Sequence, residues 1–142
     1  LHVASGRAPS AFLPPGPFRA VWEGFLTAEL GRAYRLQTEL SGTLKVEING
    51  KLVLDTKAGV TTSEPVTLGQ GANAFKATYE APSQGDAFVR LGWLEPAIGF
   101  EPIPATAFSH DPSTALADAQ LVHRGRALFL ENRCVRCHAV QA

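Results

Sequence analysis

The sequence predicts a mainly β protein: an antiparallel β-sandwich, followed by a linker and one C-terminal helix. Through the middle of the chain apolar and polar residues alternate with a period of two, and short Gly-, Pro- and Asn-rich turns separate the alternating runs. After residue 117 the apolar spacing changes to three and four, which is typical of a helix. With 142 residues, 45% of them hydrophobic, the chain is long enough for one cored domain and a small appendage.

Residues 1–17 are predicted to be an irregular lead-in, because Pro9, Pro14, Pro15 and Pro17 interrupt regular structure. The period-two pattern follows. It is clearest over 34–40 and 44–48, where Tyr, Leu, Val, Ile and Thr alternate with charged and amide side chains, and this pattern predicts half-buried strands.

A hairpin is predicted at Asn49-Gly50, which separates the strand at 44–48 from an apolar run at 51–54. Both residues tolerate positive φ, so this dipeptide is the strongest short signal for a two-residue turn. Further strands are predicted at 66–68, 74–79 and 87–94, with turns at 69–71 and 82–85. Six or seven short strands at this spacing favour a sandwich or barrel.

An ordered set of short motifs carries a family resemblance across residues 18–108. The motifs are Trp22-Glu23-Gly24-Phe25, Gly31-Arg32-Ala33-Tyr34-Arg35-Leu36, Val46 to Asp55, Leu68 to Phe75, Val89-Arg90-Leu91-Gly92-Trp93 and Ile103-Pro104. In this order they resemble the protective-antigen-type (PA-fourteen) domain, a β-sandwich of toxins, adhesins and glycosidases. Trp22 and Trp93 are expected to anchor its core, as large aromatic residues in strands usually do.

Many members of that family bind carbohydrate, some through calcium held by adjacent aspartates before a glycine of the central hairpin. This chain has Glu39-Leu40-Ser41-Gly42 at the corresponding place, and Asn49 where the family often has Asp. Calcium prefers six to eight oxygen ligands with prominent carboxylates, so calcium is not expected here. Carbohydrate binding is therefore a weak prediction, and a scaffold or protein-contact role is favoured.

Residues 109–117 are predicted to be a linker, because proline residues punctuate the chain from Glu95 to Thr114. The apolar residues before the linker are expected to pack along the sandwich rather than to remain free in solvent. They are Ile98, Phe100, Ile103 and Phe108.

The last segment, 118–142, is predicted to begin with a helix that runs to Asn132, with Asp118 as its N-cap. Gly125 and Phe129 lie one turn apart. This helix resembles the first helix of the monohaem cytochrome c family, in which a glycine and an aromatic residue at these positions allow a later helix to cross closely. Glycine permits such an approach because it has no side chain.

Cys134-Val135-Arg136-Cys137-His138 has the form of a covalent haem c attachment site. Cys134 and Cys137 would form thioethers to one haem c, and His138 would be the axial ligand of its iron. A zinc site needs four ligands, usually in two spaced pairs, and the chain has no second Cys pair. A structural zinc site with other ligands and a redox dithiol remain open as alternatives, and a disulfide between the two cysteines is possible if haem is absent.

The sixth iron ligand is not evident in the sequence, because the chain contains no Met. His123 lies eleven residues before Cys134, about 16 Å along a helix at about 1.5 Å per residue, which is too far to bind the same iron. We expect the distal ligand to lie in further sequence or on another chain.

These features together predict an electron-transfer c-type cytochrome subunit without catalytic residues of its own. Its sandwich would dock it to redox partner proteins or to a larger membrane-associated assembly. The alternative is a carbohydrate- or protein-binding sandwich with haem as an accessory, and haem enzymology is a third possibility for which no distal acid or base is identifiable.

Composition narrows the setting of this function. Thirteen Lys and Arg balance thirteen Asp and Glu, which argues against nucleic-acid binding. No apolar stretch is long enough to span a membrane. Covalent haem attachment implies a periplasmic or otherwise extracytoplasmic bacterial protein.

Overall fold

The computed structural model describes residues 1–10, 13–95, 99–111 and 114–133. The chain divides into two compact units, Leu1–His110 and Asp111–Ala142. Within the described ranges the first unit is built of strands and the second contains a helix. The elements are β1 (His2–Val3), β2 (Arg19–Ala28), β3 (Arg32–Tyr34), β4 (Leu36–Ile48), β5 (Lys51–Thr62), β6 (Val66–Leu68), β7 (Gly71–Glu80), β8 (Ala87–Glu95), β9 (Gly99–Pro102), a 3-10 turn (Ala105–Ala107), β10 (Phe108–Ser109) and α1 (Thr114–Glu131).

In the described part of the chain, eight strands form one antiparallel sheet in the order β1-β8-β4-β7-β2-β10, with β5 added to β4 and β9 added to β8. β3 and β6 form a separate two-stranded ladder. The prediction of a mainly antiparallel β protein is confirmed. The main sheet is continuous and curled, because one long strand bends and continues instead of ending.

That strand is β4. Residues 36–40 pair with β8, residues 43–48 pair with β7 on the same side, and β5 follows the other side of both halves. The register with β5 breaks between Leu40 and Thr43, and Gly42 has a φ of +84°. A bulge with a glycine at positive φ bends a strand sharply. The sheet therefore turns a corner at Ser41-Gly42.

The core lies inside this curled sheet and is a single cluster. Alternate residues of β4 are buried, as the period-two pattern predicts, and they meet buried residues of β2, β5, β6, β7 and β8. Each large apolar side chain buried in this way stabilises the fold by about 1.5–3 kcal/mol. The buried hydrophobic residues are Leu26, Ala28, Leu36, Leu40, Leu44, Val46, Ile48, Leu54, Leu68, Phe75, Ala77, Tyr79, Ala87 and Val89.

The predicted hairpin at Asn49-Gly50 is confirmed. Ile48 pairs with Lys51, and the two turn residues have φ values of 52° and 74°. Both central residues are therefore in the left-handed region that this kind of turn requires.

The two tryptophans differ from each other. Trp93 is half-buried and packs against the core, as predicted. The prediction for Trp22 is wrong, since its side chain is 39% exposed. Trp22 lies opposite the buried Ala77 and so is on the core face of the sheet. Its side chain is exposed because no described strand pairs with β2 at this position on the side away from β7.

The apolar residues that precede the predicted linker pack on the sheet, as expected. β9 pairs with β8, and β10 pairs with β2. Ile103 packs against the core, and the ring centroid of Phe108 lies 5.2 Å from that of Phe75. Ile98 is outside the described residues.

The helix of the second unit begins at Thr114, one turn before the predicted N-cap Asp118, and ends at Glu131. Asn132 donates from its backbone N–H and its side chain to the carbonyl oxygen of Leu128, and Arg133 has a φ of 55°. A residue in this left-handed region ends a helix. No helix in the described ranges is both long and apolar enough to cross a membrane.

Candidate functional site

The predicted haem residues Cys134, Cys137 and His138 lie outside the described residues. The helix that leads to them is described. The set of two thiols and one imidazole within five residues, directly after the end of α1, has the donor chemistry that haem c attachment needs. The haem c site thus stays a prediction, and the thiol and imidazole groups present in the sequence are consistent with it.

α1 carries a set of exposed apolar side chains: Leu121, Val122 and Leu128, the first of them 67% exposed. Gly125 lies between them. No described atom outside the helix's own backbone lies within 4 Å of the place where a side chain at Gly125 would begin. Its predicted role in a close helix crossing stays a prediction.

The three histidines outside the Cys-x-x-Cys-His motif are distributed over both units. His123 is exposed on α1, and His110 follows β10. His2 lies in β1, with its Nε2 atom 3.4 Å from Oδ2 of Asp86.

The stretch that corresponds to the family's calcium aspartates forms the corner of β4. Here Ser41 Oγ donates to the carbonyl oxygen of Asp86 at 2.7 Å and accepts from the N–H of Phe88 at 3.0 Å. The Ser41 hydroxyl therefore fastens the β4 bend to the loop between β7 and β8. Gly42 lies against the carbonyl oxygen of Glu80 and Pro82, so a larger residue does not fit beside it.

Asp86 also holds the N-terminal segment. Its Oδ1 accepts from the backbone N–H of Ser5 at 2.9 Å, and its Oδ2 faces His2. The Ser5 hydrogen bond, and to a smaller extent His2, lowers the pKa of the Asp86 carboxyl below its ordinary value of 3.8. The carboxylate is thus charged over the neutral pH range and serves as an anchor.

Three carboxylates of the β domain, those of Glu39, Asp55 and Asp86, do not converge on one site. Asp86 pairs with His2, Glu39 accepts from Arg90 at 3.3 Å, and Asp55 lies 3.4 Å from Lys45. Within the described residues there is no group of three or more His, Cys, Asp or Glu that could hold a metal ion.

A shallow cleft lies between the N-terminal segment and the loop after β7. Its volume is about 80 Å³, and it is lined by backbone and small side chains around Arg7, Phe18 and Gln84. Ligand pockets usually measure about 300–1,000 Å³. This cleft is large enough for a small polar group but does not enclose a sugar ring.

An aromatic cluster at the β3 end of the core is the other candidate surface. We use "aromatic cluster" for Arg32, Tyr34 and Trp93. The rings of Tyr34 and Trp93 have centroids 4.8 Å apart, and the guanidinium carbon of Arg32 lies 4.8 Å from the Tyr34 centroid. The Tyr34 hydroxyl donates to the carbonyl oxygen of Leu30 at 3.0 Å, and the Leu30 side chain beside it is exposed.

All three members of the aromatic cluster lie within the family-like sequence motifs, but the local sequence pattern does not predict that they meet. The pairing of Leu36 with Trp93, across more than fifty residues, places Trp93 beside β3. The bend of β4 determines which distant residues pair with one another. The local sequence pattern does not specify that bend. The side-chain types were the available signal, because Trp, Tyr and Arg are enriched at the energetic centres of protein interfaces.

No protein-family model matches this chain, and no curated protein matches it. Solved structures do match. Two are anti-sigma factor domain-containing proteins, one of them from Clostridium clariflavum, with TM-scores of 0.66 and 0.64, at 19% and 18% identity. Each match covers 80% of this chain, and the chain spans 40% of the length of those proteins.

Two PA14 domains also match, each with a TM-score of 0.60. One is the PA14 domain of the MpAFP antifreeze protein, at 13% identity over 70% of this chain and 56% of that chain. The other is a PA14 sugar-binding domain from an RTX adhesin, at 19% identity over 72% of this chain and 59% of that chain. At these identities the likeness establishes the fold: the chain contains a PA14-like β domain.

Proposed function

We propose that this chain is an extracytoplasmic recognition module whose PA14-like domain binds a protein surface and whose C-terminal motif carries a haem c as an accessory. The PA14-like fold is the observation that carries the proposal, since its structural neighbours include a domain of an adhesin that is described as sugar-binding. Adhesin and antifreeze neighbours also support a location outside the cytoplasm.

The chemistry of two sites on the β domain favours a protein ligand over a sugar. At the β4 corner, Ser41 uses its hydroxyl within the chain, and Leu40 is buried in the core. The neighbouring cleft is too small to enclose a sugar. The aromatic cluster instead offers an arginine stacked on an aromatic pair beside the exposed Leu30, which is the composition of a protein hot spot.

The choice between the two ligand classes is tested by calorimetric titration of neutral and acidic oligosaccharides, with and without calcium. We expect no saturable heat in either condition. Saturable, calcium-dependent sugar binding would replace the protein assignment with the carbohydrate one.

The protein partner is tested in cells of the source bacterium with a photo-crosslinking amino acid at position 30, beside the aromatic cluster. One dominant adduct is expected, and Arg32→Ala should reduce its yield about tenfold, the loss of about 1.4 kcal/mol. A crosslinker at Glu47, on the charged outer face of β4, is the matched control. Equal adduct patterns from both positions would contradict the proposal.

Haem attachment is tested separately by the intact mass and visible spectrum of the native protein. When bound, a haem supplies reversible one-electron chemistry, with Cys134 and Cys137 as tethers and His138 as an iron ligand. We expect the mass of one haem above that of the polypeptide, and its loss in the Cys134→Ala, Cys137→Ala double variant. A colourless native protein with two free thiols would reject the haem.

Electron transfer is the second candidate function, and the Cys-x-x-Cys-His motif specifically favours it. Exposed Arg124 and Arg133 lie on and directly after α1, close in sequence to the motif, and suit an acidic redox partner. If this role holds, the rate of reduction by an acidic partner falls steeply as salt is added.

A further inference from the structure

The edge of β2 at residues 19–23 lies outside the surface that the proposed function uses. β2 pairs with β7 along one side over its full length. On its other side, among the described residues, only β10 is paired with it, and only at Phe25 and Leu26. The edge of residues 19–23 is thus open in the described part of the chain.

The backbone hydrogen-bonding groups of this edge are oriented so that another strand could pair with them. The N–H of Ala81 donates to the carbonyl oxygen of Phe18, which fixes the alternation of the β2–β7 ladder. The N–H and C=O groups of Arg19, Val21 and Glu23 consequently point away from β7, toward the open side. A row of such groups is a template for another strand.

The side chains at this edge show what a partner strand would cover. Val21 is 46% exposed on the outer face, and Trp22 is 39% exposed although it shares the core face with Ala77. A strand laid beside residues 19–23 would extend the sheet at this point and shield the indole of Trp22. An exposed tryptophan on the core face supplies apolar area that an added strand would bury.

We propose that the occupant is the same edge of a second copy of this chain, paired antiparallel about a two-fold axis at Val21. In this register Arg19 lies opposite Glu23 of the second copy, and Glu23 opposite its Arg19. Val21 meets Val21, and Trp22 meets the small Ala20. Opposite charges and large-with-small pairs across an antiparallel ladder are stabilising, and a two-fold interface uses the same patch twice.

The same residues disfavour other arrangements. Parallel pairing of two copies in register sets Arg19 against Arg19, and an antiparallel shift by two residues sets a charged side chain against Val21. An unrelated strand gains the same two ion pairs only if it places an acidic residue opposite Arg19 and a basic residue opposite Glu23, which also contacts Lys76 of its own chain at 2.6 Å. Charged edges commonly prevent other pairings in this way. The paired segment is also bounded in the same way in both copies, by β10 at Phe25 and by Pro17, which has no N–H to donate.

Sedimentation equilibrium of the full chain over a wide concentration range tests the dimer, with reducing agent present so that Cys134 and Cys137 cannot crosslink copies. We expect a reversible approach to twice the 15.1 kDa chain mass. Interfaces of this small size are weak, so a micromolar dissociation constant is expected. A mass that stays at one chain at the highest soluble concentration overturns the proposal.

Val21→Pro removes an outward N–H that β7 does not use, so the fold should tolerate it while the dimer dissociation constant rises about tenfold or more. Val60→Pro in β5 is the matched control. The N–H of Ser63 bonds to Leu36, which turns the N–H of Val60 outward as well, and Val60 is also exposed. A dimer lost equally in both variants, or in neither, contradicts the assignment to β2.

Charge reversal provides a test that misfolding cannot imitate. Arg19→Glu alone and Glu23→Arg alone each place like charges opposite one another and should raise the dissociation constant about tenfold. Mixing the two variants sets Glu opposite Arg at both positions, so a mixed dimer should form. Failure of the mixture to associate more tightly than either variant alone overturns the register.

Discussion

At the scale of single residues, Asn73 holds the turn between β6 and β7. Its side chain is 3% exposed. Oδ1 accepts from the N–H of Gly69 at 3.0 Å and from Asn49 Nδ2 at 3.1 Å, while Nδ2 donates to the carbonyl oxygens of Gly69 and Gly71 at 2.9 and 3.0 Å. The amide therefore satisfies backbone groups that the turn leaves without partners.

Asn73→Ala should lower the free energy of unfolding by about 3 kcal/mol, because several partly buried backbone groups lose their partners together. Gln70→Ala in the same turn is the control, since Gln70 is exposed, and it should change stability by about 0.5 kcal/mol or less. Urea denaturation followed by circular dichroism measures both. Equal losses would assign the effect to the turn sequence and not to the buried amide.

Gly42 is required by the bend of β4 for two reasons. Its φ is +84°, and a side chain there would meet the carbonyl oxygen of Glu80. Gly42→Ala should therefore cost about 3 kcal/mol or more, the sum of left-handed strain and a backbone shift. Gly50→Ala has similar φ, +74°, but open space around it, and should cost only about 1 kcal/mol. Urea midpoints that coincide for the two variants would show that the corner can relax.

At the scale of elements, the sequence predicted the strands that alternate strongly and missed those that do not. The runs within β4, β5, β7 and β8 and the Asn49-Gly50 turn follow from local pattern and turn chemistry. β1, β9 and β10 are two to four residues long, too short for a period to be visible. They exist because the edges of β8 and β2 supply their hydrogen-bond partners.

For the candidate surfaces, the sequence shows which residue types are present but not which of them meet in the fold. Trp22 was expected in the core because large aromatic residues in strands usually anchor a core, and it does lie on the core face of the sheet. Its exposure depends on which strand lies next to β2, which is a property of topology. The aromatic cluster depends in the same way on the pairing of β4 with β8.

The attachment of β1 and its following turn to β8 should depend on pH through Asp86. Its pKa is lowered in the folded protein, so the anchor is fully present above the ordinary value of 3.8 and is lost as pH falls through the lower folded value. In an NMR titration the Ser5 amide resonance should therefore shift with a midpoint below 3.8. Asp86→Asn should abolish that titration, and a midpoint at or above the ordinary value would contradict the proposed hydrogen bond to Ser5.

At the scale of the whole molecule, the two units differ in how they are stabilised. Among its described residues, Leu1–His110 encloses a core of fourteen buried hydrophobic residues. Asp111–Ala142 contains α1, whose Leu121, Val122 and Leu128 are exposed. A segment shorter than about 40 residues rarely folds alone without a metal, a cofactor or a partner. The second unit is thus expected to need a cofactor, a metal or a partner for its stability, because its own side chains do not supply enough.

This asymmetry predicts the result of dividing the chain after His110. Residues 1–110 alone should unfold cooperatively in urea with nearly the midpoint of the full chain, because the core cluster lies within them. Residues 111–142 alone, with both thiols reduced, should show little helix by circular dichroism, because short isolated helices are marginal in water. If His138 and the two thiols bind haem, covalent attachment should raise that helix signal severalfold, since ligand binding stabilises the folded state. A peptide that is already fully helical without haem would show that α1 needs no such support.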